Sequence, residues 1–153
     1  MNRVKTFLGR WQILGAQDIG EDPYLDRLRI LVTPLFAVYL HHIRRADETP
    51  PHDHPWWFGS LVLTGAYEEV VTGPGYSFTR VNKRGSFHAM RLTQRHIITR
   101  VTKPLWTLVF TGVPRNLEWG FYPDGKHVPW YEYEAREQIV AGWPSWKQHG
   151  VLK

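Results

Sequence analysis

The chain has 153 residues, 42% of them hydrophobic and 22% charged, so it is long enough to bury a core and is expected to form one domain, 1–153. It has no cysteine, which excludes disulfides, thiolate metal ligands and a cysteine nucleophile, and leaves histidine and carboxylate side chains to hold any transition metal. The net charge of +5 comes from dispersed basic residues, a pattern that disfavours nucleic acid and admits a small anionic ligand.

Apolar stretches along the chain are short. None approaches the ~20 residues that a membrane span requires, and the first residues do not have the apolar run of a signal peptide. We therefore expect a cytoplasmic protein with no membrane partner.

Alternating apolar and polar residues, enriched in β-branched and aromatic side chains, predict about eight strands separated by Pro and Gly turns. In chain order these are residues 24–32, 36–44, 57–63, 67–72, 76–81, 96–102, 105–111 and 118–122. Short strands at regular spacing indicate a sandwich or a closed barrel. Helical periodicity is clear at 131–140, with a shorter helix possible near the N-terminus. The prediction is an all-β domain with short terminal helices.

Two histidines, His52 and His54, are separated by one residue in an extended segment that follows a Pro-rich turn. Side chains two residues apart on a strand point to the same side, so both imidazoles can reach one metal ion. A third histidine, His96, opens the strand-like run at 96–102. Three convergent imidazoles would leave coordination positions open, as a catalytic metal needs.

The spacing between these histidines and nearby glycines matches two known motifs. His52, His54 and Gly65 are spaced as in a His-x-His motif that ends in glycine, with Phe58 where that motif has glutamate. Gly85 and His96 are spaced as the glycine and histidine of a second, accompanying motif. This pair of spacings resembles the cupin superfamily. The resemblance covers about residues 36–122 and implies a double-stranded β-helix, which is a small jelly-roll barrel, in a chain that forms a homodimer.

The sequence also departs from those motifs. Ala46 replaces the leading glycine of the first motif, and Arg91 and Thr93 replace the proline and glycine of the second. Because Phe58 cannot coordinate, the three histidines would form a neutral face. Among cupins this pattern is similar to the thiol dioxygenases, where three His hold Fe(II).

The resemblance implies one divalent transition metal, with Fe(II) favoured and manganese, nickel or zinc as alternatives, because neutral imidazoles accept most of these ions. The last strand of the thiol dioxygenases carries an inward His and Tyr, which are replaced here by Val109 and Thr111. Their replacement argues against thiol oxidation itself.

Strand alternation predicts further residues that line the cavity. Arg100 shares the face of His96, and a cation inside a barrel needs an anion, so we expect it to bind a ligand carboxylate or phosphate. The alternatives are an outward rotation after a bulge or a pairing with Glu69. Tyr67 and Glu69 follow a turn, and either side chain is a candidate catalytic acid or base, or a partner of a ligating His.

Three further residues are candidates for binding substrate. One of His41 and His42 must face inward by alternation, and His42 is counted among the candidates. Trp106 is a candidate pocket wall, with core packing as its alternative. His88 stands outside the motif register and is also an alternative third metal ligand.

Three classes of function follow from these predictions. The leading one is a metal-dependent cupin enzyme, an Fe(II) oxygenase of dioxygenase type acting on a small polar or anionic substrate. The second is a metal-assisted isomerase or epimerase of a sugar or nucleotide-sugar, in which Tyr67 or a carboxylate transfers the proton. The third is a non-enzymatic binder of an anionic, nucleotide-like small molecule.

Overall fold

The computed structural model describes residues 11–14 and 24–133, and these residues form nine β-strands. The strands are β1 (Trp11–Leu14), β2 (Leu25–Val32), β3 (Ala37–Ile43), β4 (Phe58–Gly73), β5 (Tyr76–Lys83), β6 (Phe87–Met90), β7 (Arg95–Thr111), β8 (Gly120–Phe121) and β9 (Val128–Pro129). One turn of 3-10 helix covers Pro123–Gly125. Within the described ranges, no helix is long and apolar enough to cross a membrane.

All pairings between the described strands are antiparallel. The main sheet has the order β1-β2-β3-β7-β4-β5, β6 also pairs with β4, and β8 and β9 form a separate two-stranded sheet. The long strands β4 and β7 pair along their whole length, from Phe58 opposite Thr111 to Thr72 opposite Arg95. The predicted all-β jelly-roll barrel is confirmed.

Two long strands replace four shorter predicted ones. The predicted strands 57–63 and 67–72 join in β4, and 96–102 and 105–111 join in β7. At Gly65, where a turn was expected, glycine adopts a φ of +73°, and β4 continues to pair with β7 through register shifts on both sides of this residue. A Cβ atom at Gly65 would lie 2.5 Å from the carbonyl oxygens of Thr102 and Pro104, so the motif glycine is also required by close strand packing.

Three of the described strands, β1, β6 and β9, were not predicted, because strands of two to four residues are too short for a clear alternation. The predicted helix 131–140 has a helical start at residues 130–133, and its remainder lies outside the described residues, as does an N-terminal helix.

The residues that the structure describes form two buried apolar clusters. One contains Leu25, Ile43, Val62, Tyr67, Ile98 and Leu105. The other contains Ala37, Tyr39, Phe58, Val71, Met90 and Val109. Members of both clusters line one cavity of about 110 Å³, which therefore lies between the clusters inside the barrel.

Candidate metal centre

The backbone brings His52 and His96 side by side. Each donates its N–H to the carbonyl of the other at 2.9 Å, a reciprocal pair that joins the segment before β4 to the start of β7. The intervening Asp53 points the opposite way, where its carboxylate accepts hydrogen bonds from the Gly120 N–H at 2.7 Å and the Tyr122 hydroxyl at 2.9 Å. Alternation about Asp53 therefore turns His52 and His54 towards the barrel interior.

The three predicted histidines converge on one point. One nitrogen from each of His52, His54 and His96 lies within 4.8 Å of the others, and the Nε2 atoms of His54 and His96 are 2.9 Å apart. His96 is buried and His54 is half-buried. The three-His group fits a divalent metal ion, whose identity stays a prediction.

The protonation states of the cluster suit metal binding. Burial, followed by the neighbouring His96, lowers the pKa of His52 to about 3, and the same two causes lower the pKa of His54 well below its usual value. Both imidazoles are therefore neutral near pH 7, which is the form that binds metals.

The carboxylate of Glu69 fixes the orientation of His96. Glu69 is fully buried on β4, and its Oε2 atom accepts a hydrogen bond of 2.6 Å from Nδ1 of His96. With its proton on Nδ1, His96 directs the free lone pair of Nε2 towards His54. Carboxylate partners of this kind orient metal-binding histidines and raise their basicity.

Glu69 is held as an anion. Its Oε1 atom accepts hydrogen bonds from Nε of Arg80 at 2.6 Å and from Nδ2 of Asn82 at 2.8 Å. Burial by itself raises the pKa of Glu69, but the hydrogen bond from His96 and the nearby charges of His96, His88 and Arg80 bring it down to about 2. The alternative pairing of Glu69 with Arg100 is wrong, since Arg80 takes that place.

Tyr67 is the second predicted catalytic residue. It lines the cavity, and its hydroxyl lies 3.1 Å from Nε2 of His88. His88 is buried behind Tyr67, with Nε2 3.6 Å from Oε1 of Glu69, and it is outside the cavity wall and the three-His group. His88 is therefore placed to contact Tyr67 rather than a substrate. Burial raises the pKa of the Tyr67 hydroxyl, which stays protonated.

The cavity beside the histidines has mostly apolar walls. Its polar and charged lining residues are Tyr24, Arg27, Tyr39, His41, Asp47, Ser60, Tyr67, Thr107 and Thr111, besides the three histidines. Val109 and Thr111 face inward, as the sequence predicted. A cavity whose wall area is mostly apolar, with several polar groups set into it, suits a small ligand.

The predicted interior position of Arg100 is wrong. Glu69 pairs with Ile98 and Glu68 with Arg100, so Thr99 is an extra residue in β7. This bulge reverses the alternation: Ile98 is buried and Arg100 is exposed. The outward rotation considered as an alternative is what the structure has.

The predictions of His42 and Trp106 as cavity residues are also wrong. Their rings stack on each other, 4.4 Å between centroids and 6° apart, outside the cavity wall. His42 Nδ1 lies 3.2 Å from Asp26 Oδ2. Alternation along β3 turns His41 inward instead.

Arg27 is a cavity residue that the sequence reading missed. It lies two residues after the buried Leu25 on β2 and shares its face. The predicted strand 24–32 contained this signal, because an apolar residue at position 25 predicts an inward side chain at 27.

Known structures resemble this chain in fold. KdgF from Halomonas sp. has a TM-score of 0.54 at 18% identity, covering 73% of this chain and 97% of that one. The DMSP lyase DddQ from Ruegeria pomeroyi has a TM-score of 0.57 at 17% identity, covering 76% and 63%. Streptomyces albus HEPD, with 2-hydroxyethylphosphonate and Fe(II) bound, has a TM-score of 0.52 at 11% identity, covering 81% and 25%. No protein-family model and no curated protein matches the sequence.

Fold and neighbours together define a cupin-type barrel, so the resemblance read from the two motifs is confirmed at the level of the fold. The neighbours differ in activity, and at these identities they do not assign one to this chain.

Phe58 offers a direct test of the metal position. Its buried ring lies 4.8 Å from the ring of His54 and 5.9 Å from that of His96, so the residue at the motif's glutamate position does face the cluster. Phe58→Glu would add an anionic ligand, and we expect Mn(II) or Fe(II) affinity to rise about tenfold or more. Losing the aromatic ring costs up to ~3–5 kcal/mol of folding free energy.

Calorimetric titration of Mn(II) into the wild-type protein and into Phe58→Glu measures this change. Phe58→Gln is the matched control, because it removes the same ring without adding a charge. Equal Mn(II) affinities in folded Phe58→Glu and Phe58→Gln would mean that position 58 does not reach the metal.

Proposed function

We propose that the protein is a metal-dependent enzyme that uses Fe(II) at His52, His54 and His96 to oxygenate a small polar or anionic substrate. The observation that carries this proposal is the convergence of three imidazoles on one cavity, with Phe58 in place of a fourth, carboxylate ligand. Such a face leaves several coordination positions open for substrate and dioxygen. The neighbour HEPD, which has Fe(II) and a small phosphonate substrate bound, supports the use of Fe(II) on this fold.

Each surrounding residue has a definite task in this proposal. The metal, when bound, supplies Lewis acidity and redox chemistry at positions open to the cavity. Glu69 keeps the proton of His96 on Nδ1, so that Nε2 remains available as a ligand. Phe58 and the apolar walls exclude water from the reacting groups. Tyr67 presents a protonated hydroxyl to the cavity, where it can donate a hydrogen bond to bound substrate.

A second function, the metal-assisted isomerase or epimerase, is supported by the contact between Tyr67 and His88. The hydroxyl of Tyr67 lies 3.1 Å from Nε2 of His88, and His88 lies next to the anionic Glu69. A tyrosine with such a partner can transfer a proton without oxygen. This candidate predicts activity with Zn(II) or Mn(II) and indifference to dioxygen.

The proposal can be tested before the substrate is known, because nitric oxide binds to Fe(II) at the positions where dioxygen would bind. Untagged protein is loaded with Fe(II) without air and exposed to nitric oxide, and electron paramagnetic resonance is recorded. We expect the signal of a high-spin ferrous nitrosyl complex in the wild-type protein. We expect the complex to form in Phe58→Gln with the same signal, and in Phe58→Glu with an altered signal, because a carboxylate would fill one of the open positions and change the ligand set of the iron.

The opposite results reject the oxygenase. Fe(II) that stays bound but forms no nitrosyl complex would mean that no coordination position is open. Protein that retains Zn(II) or Mn(II) but not Fe(II) would favour the isomerase instead.

A further inference from the structure

A row of three polar residues crosses the cavity wall beside the histidines. Arg27 of β2 is directly opposite His41 of β3, and His41 is directly opposite Thr107 of β7. All three line the same cavity as the three-His group. Adjacent strands lie about 4.8 Å apart, so this row brings one charged and two neutral polar side chains into one strip of wall.

The guanidinium of Arg27 is fixed in place. Its Nε–H donates to Nε2 of His41 at 3.0 Å, and its central carbon lies 4.8 Å from the centroid of the Tyr39 ring. Burial lowers the pKa of His41 to about 3, so its imidazole is neutral and accepts this hydrogen bond. Because Nε is already used, the two Nη groups remain to bind a ligand, and their planar pair matches the two oxygens of a carboxylate.

Arg27 has no counter-ion within the described part of the chain. The carboxylates near β2 and β3 pair with other groups: Asp26 with Arg44, and Glu69 with Arg80. Asp47 also lines the cavity, but its Oδ2 atom accepts the backbone N–H of Ile98 at 2.7 Å. A half-buried cation without an anion is costly, and a bound anion would remove that cost.

Thr107 provides a second, independent observation. Its side chain is 1% exposed, and its Oγ1 atom is buried without a hydrogen-bond partner among the described residues. Buried hydroxyl groups are normally satisfied, so an unsatisfied one that lines a cavity indicates a partner supplied by a ligand.

We propose that Arg27, His41 and Thr107 form an oxyanion-binding subsite, which holds the carboxylate or phosphonate of a small substrate while the rest of that substrate faces the three histidines. The cavity is small, about 110 Å³, so it suits the head group of a small substrate. This inference rests on the proposed function, because it names the head group of the substrate of that same site.

Three matched probes test the subsite by calorimetry: 3-hydroxypropionate, its neutral amide 3-hydroxypropionamide, and 2-hydroxyethylphosphonate. The protein is loaded with Zn(II), which is redox-inert. We expect the wild-type protein to bind at least one anion about tenfold or more tightly than the amide. The anion that binds more tightly identifies the head group.

Variants of Arg27 and Thr107 test whether the preference for the anions over the amide comes from these side chains. We expect Arg27→Gln to weaken anion binding by about 10- to 100-fold and to change amide binding by less than about twofold. Arg27→Lys should recover only part of the loss, because it lacks the planar pair of donors. Thr107→Val keeps the shape but removes the hydroxyl, and we expect a loss of about fivefold or more with unchanged melting temperature.

The results separate this inference from the proposed function. Arg27→Gln that binds both anions as tightly as wild type, or a wild-type protein that prefers neither anion to the amide, overturns the subsite. If the proposed metal chemistry is wrong and no metal binds, the dependence of anion binding on Arg27 should still be measurable in metal-free protein. Loss of that dependence in both forms would refute the subsite alone.

Discussion

Replacing His96 with alanine is expected to lower the affinity for Zn(II) or Fe(II) by about a hundredfold or more. The change removes one of three converging nitrogens, and the remaining two imidazoles are neutral and supply no charge to hold the ion. It also leaves the Oε2 atom of the buried Glu69 carboxylate without the hydrogen bond of 2.6 Å from His96. Competition with a chelator of known Zn(II) affinity measures the loss.

His127→Ala is the matched control for this experiment. His127 is exposed and lies outside the three-His group, so its removal should leave Zn(II) affinity unchanged. Equal losses in the two variants would point to weak binding by scattered surface histidines. An unchanged affinity in folded His96→Ala would remove His96 from the site.

Replacing Glu69 with glutamine is expected to reduce both stability and metal affinity. Glutamine has nearly the same size but no charge, so the partly buried guanidinium of Arg80 loses its partner at 2.6 Å. Removing one member of a buried ion pair costs ~3–5 kcal/mol of folding free energy. Loss of the carboxylate behind His96 should weaken metal binding by a further ~10–100-fold.

Denaturant unfolding and Zn(II) competition, measured on the same preparation, test both effects. Glu68→Gln is the control, because Glu68 is the neighbour of Glu69 on β4 and its carboxylate accepts a hydrogen bond from the exposed Thr99 hydroxyl. If Glu69→Gln is as stable as Glu68→Gln, the buried pair with Arg80 does not stabilise the fold. If Zn(II) affinity is also unchanged, Glu69 does not act through His96.

Most of the predicted residues that the structure brings together are close to one another in the sequence. His52 and His54 lie two residues apart in an extended segment, so their common direction follows from alternation over three residues. Tyr67 and Glu69 are paired by the same rule on β4. His96 required the second motif, because its position opposite His52 is set by pairing between segments far apart in the chain.

The residues that were misplaced depend on features that alternation cannot show. The bulge at Thr99 reverses the faces of β7, so Arg100 points outward although it keeps the parity of His96. The cation of the cavity is Arg27 instead, and its place beside His41 is set by the register of β2 against β3. A bulge and a strand register are tertiary properties, fixed by packing across the sheet.

The metal content of untagged protein tests the central claim most directly. Protein stripped with a chelator, incubated with Fe(II), Mn(II), Ni(II) and Zn(II) in separate samples and passed through a desalting column, is analysed by elemental mass spectrometry. We expect the wild-type chain to keep about one ion of at least one of these metals, and a variant with His52, His54 and His96 all replaced by alanine to keep none. Folded wild-type protein that keeps no more of any metal than the triple variant would contradict the account.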